Sequence, residues 1–573
     1  MGGVRERRVV SGGVELHVRE QGESTAPAVL LVHGFPDSSH LWDGVSEILA
    51  TRFRVVRYDV RGTGGSAAPA DRADYALPQL ARDLVAVADA VSPDAPVHLV
   101  GHDWGAIQGW EAVTDPALAH RFASFTSIAG VCLDHVPHWM RGLLRRPTPR
   151  NLARLLNQRL RSTYISFFQL PVLPELTLRL AARWWSRRGE RAEGPARVRV
   201  RDAVNGLQLY RVNIRPRLGR PGRRHTAVPV QQVVPLRDRF VTPAMQESAE
   251  PWCARLWRRE LPAGHWAPRT HPEVVARWIA EFVDHVRGAA PVRGLQPVRD
   301  RVRRPLAGRL VLVTGAGGGI GRATALAAAA RGAEVLVVDV DEAAAADTVR
   351  CVTSAGGRAH AYRVDVADGA AVHELAERVQ AAHGVPDVVV ANAGVGVAGP
   401  FLATSEEDWR RVVDVNLWGV VHTLRAFAPR LVARGEGGHL VVTASMAGYT
   451  PNRLLPAYST TKAAVLMLAQ CLRAELAGQG IGVSAICPGF VSTGIAATTR
   501  FVGADPEEER RRRESAVRFY RRRAFPPERV AAAVLRAVER NEAVVPVTAE
   551  AVAAQALSRL SPTLLRALGR LLG

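Results

Sequence analysis

The sequence predicts two α/β domains in one chain, each a parallel sheet covered by helices. Three observations predict this. The chain has 573 residues, and a single hydrophobic core rarely grows past about 250–300. Short apolar runs alternate with helical patterns in two separate stretches, the rhythm of parallel sheets. Between them, residues 288–305 are rich in Pro, Gly and Arg with no apolar period, which predicts a linker.

In the first stretch, residues 27–34, 53–59 and 97–100 read as buried strands, with a helix over 78–91. From about 132 to 225 the rhythm gives way to Arg, Trp and Leu in helical stretches, which predicts an inserted cap. The α/β pattern returns at 228–241 and closes with a helix at 272–287, so the first domain is expected over 1–287. The second runs over 306–548 from the strand Arg309–Thr314. A helical tail follows over 549–573, with its pattern broken at Pro562.

Composition narrows the function classes. Hydrophobic residues make up 47% of the chain, and no apolar run is long enough to span a bilayer. The first residues carry charge but no apolar stretch behind them, so no secretory signal is expected. Five scattered cysteines form no metal-spaced cluster, which predicts reduced thiols, no metal and a cytoplasmic setting. The formal net charge of +21 is spread along the chain without a nucleic-acid-binding module. It reads as a bias towards Arg, with peripheral attraction to anionic lipid as the alternative. Of the 75 basic residues only Lys462 is a lysine. Arg cannot copy a compact ammonium with a tunable pKa, so Lys462 is a candidate for chemistry before any motif is considered.

Gly101-His102-Asp103-Trp104-Gly105 follows the strand at 97–100. It is a G-x-nucleophile-x-G elbow with Asp in the central place. A carboxylate there can attack an sp³ carbon and form an alkyl ester. With His33-Gly34-Phe35-Pro36, Arg61-Gly-Thr-Gly-Gly-Ser66, Gly264-His265-Trp266 and Asp238, the segment resembles the epoxide hydrolases of the α/β-hydrolase fold. The resemblance implies that Asp103 is nucleophile, His265 base and Asp238 its orienting acid. It also implies an oxyanion hole from the N–H groups of Phe35 and Trp104, and Tyr164 and Tyr210 as cap acids for the epoxide oxygen. The local register around Tyr164 leaves Phe167 as the alternative equivalent. The related dehalogenases usually carry Asn where this chain has Phe35 and lack the paired tyrosines.

Thr314-Gly315-Ala-Gly-Gly-Gly319-Ile320-Gly321 follows a strand and opens a helix. Glycines let backbone approach a pyrophosphate, whose charge the helix N-terminus favours. The next strand ends at Asp339, and a carboxylate there suits ribose hydroxyls and repels a 2′-phosphate, so NAD is expected over NADP. Tyr458 and Lys462 stand four apart, on one helix face, and the ammonium is expected to lower the phenol pKa. The spacing T-G-x-x-x-G-x-G with Y-x-x-x-K resembles the short-chain dehydrogenases/reductases, a doubly wound Rossmann-type fold. That resemblance implies Asp365 and Val366 at the adenine, Asn392-Ala393-Gly394 in the cofactor loop and Pro488, Gly489 and Thr493 beside nicotinamide. It further implies Ser445 at the substrate oxygen, Asn416 in a proton relay, and pairing into a homodimer through this domain. Fusion of the two suggests that an epoxide is opened to a diol and then oxidised, on a lipid-like substrate.

Two Arg-rich stretches could face a membrane, residues 141–161 with Leu interleaved and the Arg-dense 510–523, and the C-terminal segment Leu560–Leu572 could serve the same end. A solvated charged helix is the preferred reading of the two Arg-rich stretches.

Overall fold

The computed structural model describes residues 3–187, 194, 199–503 and 505–565. The chain divides into two units, Met1–Asp300 and Arg301–Gly573.

The first unit is built on eight strands: β1 (Arg5–Ser11), β2 (Val14–Gln21), β3 (Ala28–Val32), β4 (Arg54–Tyr58), β5 (Val97–His102), β6 (Phe122–Ile128), β7 (Val230–Pro235) and β8 (Leu256–Leu261). Their order is β1-β2-β4-β3-β5-β6-β7-β8. β1 and β2 pair antiparallel, and β2 meets β4 antiparallel; the rest are parallel. The central strands are buried on both faces, which is why 28–32 and 97–102 read as unbroken apolar runs. One face packs the helices Leu77–Val91 and Trp104–Val113, the other Asp43–Leu49 and Pro272–Val286. Among the described residues, five helices from His135 to Gly219 intervene between β6 and β7 as the cap.

The Arg61-to-Ser66 motif turns out to brace this frame. The Arg61 guanidinium is fully buried and grips Asp83 with two bonds of 2.7 and 2.6 Å. Ser66 Oγ donates to the Asp59 carbonyl and accepts from His17 N–H. Deleting one partner of a buried pair of this kind costs about 3–5 kcal/mol, because the other charge is stranded.

The second unit carries β9 (Leu310–Thr314), β10 (Glu334–Asp339), β11 (Arg358–Arg363), β12 (Val388–Ala391), β14 (Gly438–Thr443), β15 (Ile481–Cys487) and β17 (Val544–Pro546), all parallel, in the order β11-β10-β9-β12-β14-β15-β17. A small pair, β13 (Val397–Ala398) with β16 (Arg500–Phe501), lies beside them. The strand order reverses between β9 and β12, the switch point where this architecture opens a crevice.

The connecting regions carry structure of their own. Within residues 288–305, where a linker was expected, Leu295 is buried against Trp257 and Phe282, and Val298–Arg303 form a helix. The stretch from 549, expected as a helical tail, opens with a helix. Helix Ala549–Leu560 buries Ala551 and Ala554, and Glu550 accepts the Phe490 N–H; residues 566–573 lie outside the described ones.

Candidate active sites

Asp103 stands between the end of β5 and the helix Trp104–Val113, with φ 52° and ψ −118°. A non-glycine residue in that region is strained, and the strain is held by packing on either side. A Cβ on Gly101 would come within 2.5 Å of the Gly105 carbonyl oxygen, and one on Gly105 within 2.2 Å of the Val32 oxygen. Only glycine at both places permits the bend, which is the physical content of the G-x-D-x-G pattern.

The bend delivers the carboxylate to its partners. Asp103 Oδ2 accepts the Phe35 N–H at 2.8 Å, and the Trp104 N–H also points at the carboxylate. Asp103 Oδ1 lies 3.8 Å from His265 Nε2, while His265 Nδ1 meets Asp238 Oδ2 at 2.9 Å. Asp238 Oδ1 accepts the N–H groups of Phe240 and Val241. Burial pushes the Asp103 carboxyl up, opposed by His265 and the two backbone donors. Burial alone would lower His265, but Asp238, with Asp103 and Asp37 behind it, carries it up to about 9. Burial would raise Asp238, yet His265 and the two N–H groups hold it below the usual carboxylate range.

Tyr164 and Tyr210 come from separate cap helices, Thr163–Phe168 and Val200–Gly219. Their rings are 6.0 Å apart and their hydroxyls hydrogen-bond each other, with the Trp104 indole N–H on Tyr210. Burial, then the nearby charge of Asp103, lifts Tyr164 above its ordinary value; burial and its neighbours do the same for Tyr210. Both phenols are therefore proton-bearing donors above the nucleophile. Among the described residues the Tyr164 ring meets Tyr210, Phe168 and Phe240, while the Phe167 ring packs on Phe168, which favours Tyr164 over Phe167 as the equivalent position.

Several residues around this site carried no motif signal. The Phe240 ring stands edge-on to His265 at 4.9 Å. His102, held near neutral charge by burial at a pKa of about 3, donates from Nε2 to the His265 carbonyl. Phe168 closes an aromatic wall with Phe35 and Tyr210. Two of them flank motif residues in sequence, but their contact with His265 is made only by folding.

In the second unit, Thr314 Oγ1 accepts the N–H groups of Asn392 and Ala393, and Asn392 Nδ2 donates to the carbonyls of Thr314 and Gly315. These bonds tie β9 to β12 across the crevice. A Cβ on Gly321 would lie 2.0 Å from the Gly315 oxygen, so glycine there permits the helix Gly319–Ala330, with Ile320 packed on the core, to start against the loop. Gly319, at φ +52°, faces the Thr493 side chain. The loop thus forms a cradle of backbone at a helix N-terminus, which fits a dinucleotide pyrophosphate. Asp339 Oδ2 accepts the Gly317 N–H at 2.8 Å, and further lone pairs remain for ribose hydroxyls. Asp365 is exposed, and Val366 is buried against Gly419. Pro488 accepts the Met446 N–H, and Gly489 abuts Thr548.

Tyr458 and Lys462 share the helix Pro456–Leu476, and the Tyr458 hydroxyl is hydrogen-bonded to Ser445. Lys462 Nζ donates to the Thr443 carbonyl at 2.8 Å and sits 5.7 Å from the Tyr458 ring centre. Gly394 lies against both Lys462 and Asn416. Asn416, on a one-turn π-helix, is committed at both ends of its amide to Val395. The expectation of a lysine-lowered phenol is corrected here. Burial pushes Tyr458 up to about 12, against the Ser445 hydrogen bond, and burial pulls Lys462 down to about 8. Sequence spacing does not reveal this desolvation, which is the largest cause acting on both groups.

A cavity of about 400 Å³ beside the loop is lined by Gly319, Arg322, Thr493, Tyr520 and Arg521. Tyr520 belongs to the Arg-dense helix Pro506–Arg523, whose charges pair within the helix as Glu507–Arg511, Glu508–Arg512 and Glu509–Arg513. That pairing favours the solvated-helix reading of 510–523. Among the described residues, Glu334, His360 and His383 have spacing suited to a metal. Glu334 stands at the start of β10, His360 on β11 and His383 at the end of the helix Gly369–His383, and Glu334 Oε1 already accepts from His360 at 3.0 Å.

Comparison with known proteins gives two family matches: the alpha/beta hydrolase fold over residues 27–272 and short chain dehydrogenase over 309–501. Over 98% of its length the chain is 44% identical to "Probable oxidoreductase EphD" of Mycobacterium tuberculosis and of Mycobacterium bovis, covering 97% of each. It is 42% identical over 192 residues to the (3R)-3-hydroxyacyl-CoA dehydrogenase of Mus musculus, 32% of this chain and 74% of that one. A solved short chain dehydrogenase/reductase from Burkholderia phymatum, in complex with NAD, is 33% identical over 45% of this chain and 95% of its own, with a TM-score of 0.42.

Proposed function

We propose, from the premise that this chain belongs to the family that fuses an α/β-hydrolase to a short-chain dehydrogenase, that it is an enzyme with two chemistries: epoxide hydrolysis in the first unit and nicotinamide-dependent alcohol oxidoreduction in the second. The observation that carries the first is the meeting of Asp103, His265, Asp238 and two hydrogen-bonded phenols at one point. A carboxylate nucleophile facing two acids suits an electrophile whose leaving oxygen stays attached and needs a proton, which is what an epoxide presents and an alkyl halide does not.

Asp103 Oδ attacks one ring carbon, the C–O bond of the ring breaks, and the oxygen takes a proton from the Tyr164–Tyr210 pair. The product is a hydroxyalkyl ester. His265, oriented by Asp238, then removes a proton from water, which adds to the ester carbonyl. The N–H groups of Phe35 and Trp104 hold the oxyanion. Collapse expels the diol oxygen, which takes the proton held by His265, and the acid proton left on Asp103 returns to the phenolate, so a vicinal diol leaves and the carboxylate, imidazole and phenol pair are restored.

Forming the ester erases the Asp103 charge, one of the causes that raises His265. The base pKa therefore drops when the imidazole must act. With ester hydrolysis rate-limiting, kcat is expected to rise with pH through a limb lying below about 9, read from a pH profile of turnover. Asp238→Asn moves that limb lower still and reduces its plateau; a limb unchanged in that variant contradicts the assignment.

In the second unit, the bound nicotinamide supplies the hydride acceptor or donor. Tyr458 Oη exchanges a proton with the substrate oxygen while Ser445 holds that oxygen. Lys462, buried beside Gly394, is placed to bond a ribose hydroxyl. Asp339, with no basic residue in the Gly loop, favours NAD over NADP.

The two reactions compose as epoxide to diol to hydroxyketone, on an apolar, lipid-like substrate, and linkage raises the local concentration of the diol. The test is product mass spectrometry on a panel of epoxides, with NAD, NADP or neither. Epoxide plus NAD is expected to yield NADH, and the Asp103→Ala variant to yield NADH only when diol is added. NADH formation from epoxide that is undiminished in that variant rejects the sequence.

A further inference from the structure

Residues 135–161 form two helices, His135–Arg145 and Pro149–Arg161, which pack on each other at the start of the cap. Their 27 residues contain seven arginines and no Asp or Glu. The second helix has two distinct faces. On the inner one, Gln158 is buried and bonds the Phe240 carbonyl and the Thr242 N–H. Arg161 donates to the Asp238 carbonyl, and Arg154 pairs with Glu247. This face is pinned to the loop that carries the orienting acid of the hydrolase site. On the outer one, Leu152, Leu156 and Leu160 stand one turn apart at 47%, 59% and 62% exposure, with Leu144 and Met140 of the first helix exposed as well.

We propose that this outer face docks on an anionic lipid surface and sets the hydrolase cap against the bilayer. An exposed apolar stripe with exposed arginines beside it, the acid Glu247 being already paired to Arg154 on the inner face, is the pattern of a helix lying in the membrane interface. Leucines enter the acyl boundary while guanidiniums, on long stems, reach the headgroup phosphates. Charge decides the occupant. A second copy seated on the same face would bring the five exposed arginines, Arg141, Arg145, Arg146, Arg150 and Arg159, against the same five, and these helices carry no Asp or Glu to offset them, whereas anionic headgroups neutralise them. Because the helix is tied to the 238–242 loop, docking places the entrance for apolar epoxides at their solvent. Only this last consequence rests on the proposed epoxide chemistry; the docking itself needs no turnover.

The test uses the full chain and flotation with two kinds of vesicle, phosphatidylcholine alone and phosphatidylcholine mixed with phosphatidylglycerol. Binding is expected to the anionic vesicles at about 0.1 M salt and to weaken towards about 0.5 M. The variant Leu152→Ser/Leu156→Ser/Leu160→Ser is expected to lose roughly tenfold or more of that binding. Its hydrolysis of a water-soluble epoxide should stay at the parent rate, which shows that it folds. No flotation at low salt, equal binding to neutral vesicles, or undiminished binding of the serine variant overturns the proposal. A dimer that the serine substitutions dissolve, detected by sedimentation, places a second copy on the face and overturns it too. An inactive parent that still floats rejects the epoxide reading and leaves docking standing.

Discussion

Asp103→Ala is expected to lower the proposed epoxide turnover ~10⁴-fold or more, because it removes the carboxylate assigned as nucleophile. Position 103 already accepts φ 52° with a side chain present, so Ala is held by the same glycine-flanked bend and adds no new clash. The companion variant His265→Gln separates the two half-reactions. With Asp103 and the phenols intact, the ester forms, but the water lacks its base. The protein should then gain the mass of one whole epoxide, located by peptide mapping on the segment containing Asp103. Residual turnover in Asp103→Ala near the parent rate, or an adduct on another residue, rejects the nucleophile assignment.

Tyr458→Phe is expected to lower oxidoreduction ~10³-fold or more, while nicotinamide binding, followed by its fluorescence, stays close to the parent value. The phenol's partners are the Ser445 hydroxyl and, across the cleft, Tyr520; the cofactor cradle is built by other residues. Replacing it with Phe removes the proton-carrying oxygen and keeps the ring. Lys462→Arg sharpens the result. The ammonium occupies a fully enclosed site on the Thr443 carbonyl beside Gly394, where a planar guanidinium does not fit. Both cofactor affinity and turnover should fall in that variant. Equal turnover in Tyr458→Phe and parent, with the same product, contradicts the role.

The hydrolase half was legible because its elbow is a local device. Glycine at 101 and 105 is demanded by backbone approach within a few residues, so the pattern survives as a string. The same holds for the loop from Thr314 to Gly321. The arrangement of the acid and base was readable only through the family resemblance, since Asp238 and His265 reach Asp103 from the ends of other strands. Nothing in the string marks Phe240 or His102 as neighbours of the imidazole, or Leu295 as an anchor in an otherwise linker-like segment.

By itself the sequence determined two α/β domains and the order of their motifs, and it singled out Asp103, Tyr458 and the lone lysine as candidates for chemistry. Those depend on residue type and short-range spacing, which a string records directly. The tertiary structure alone set the direction in which each group is shifted: His265 lifted by convergent carboxylates, Tyr458 raised where a lowered value was expected; and it brought the Tyr164 ring onto Tyr210. It also decided which face of the Arg-rich cap helix is spent on the acid loop and which is left outside. Desolvation and charge coupling depend on what surrounds an atom in space, and residues far apart in the chain supply those surroundings.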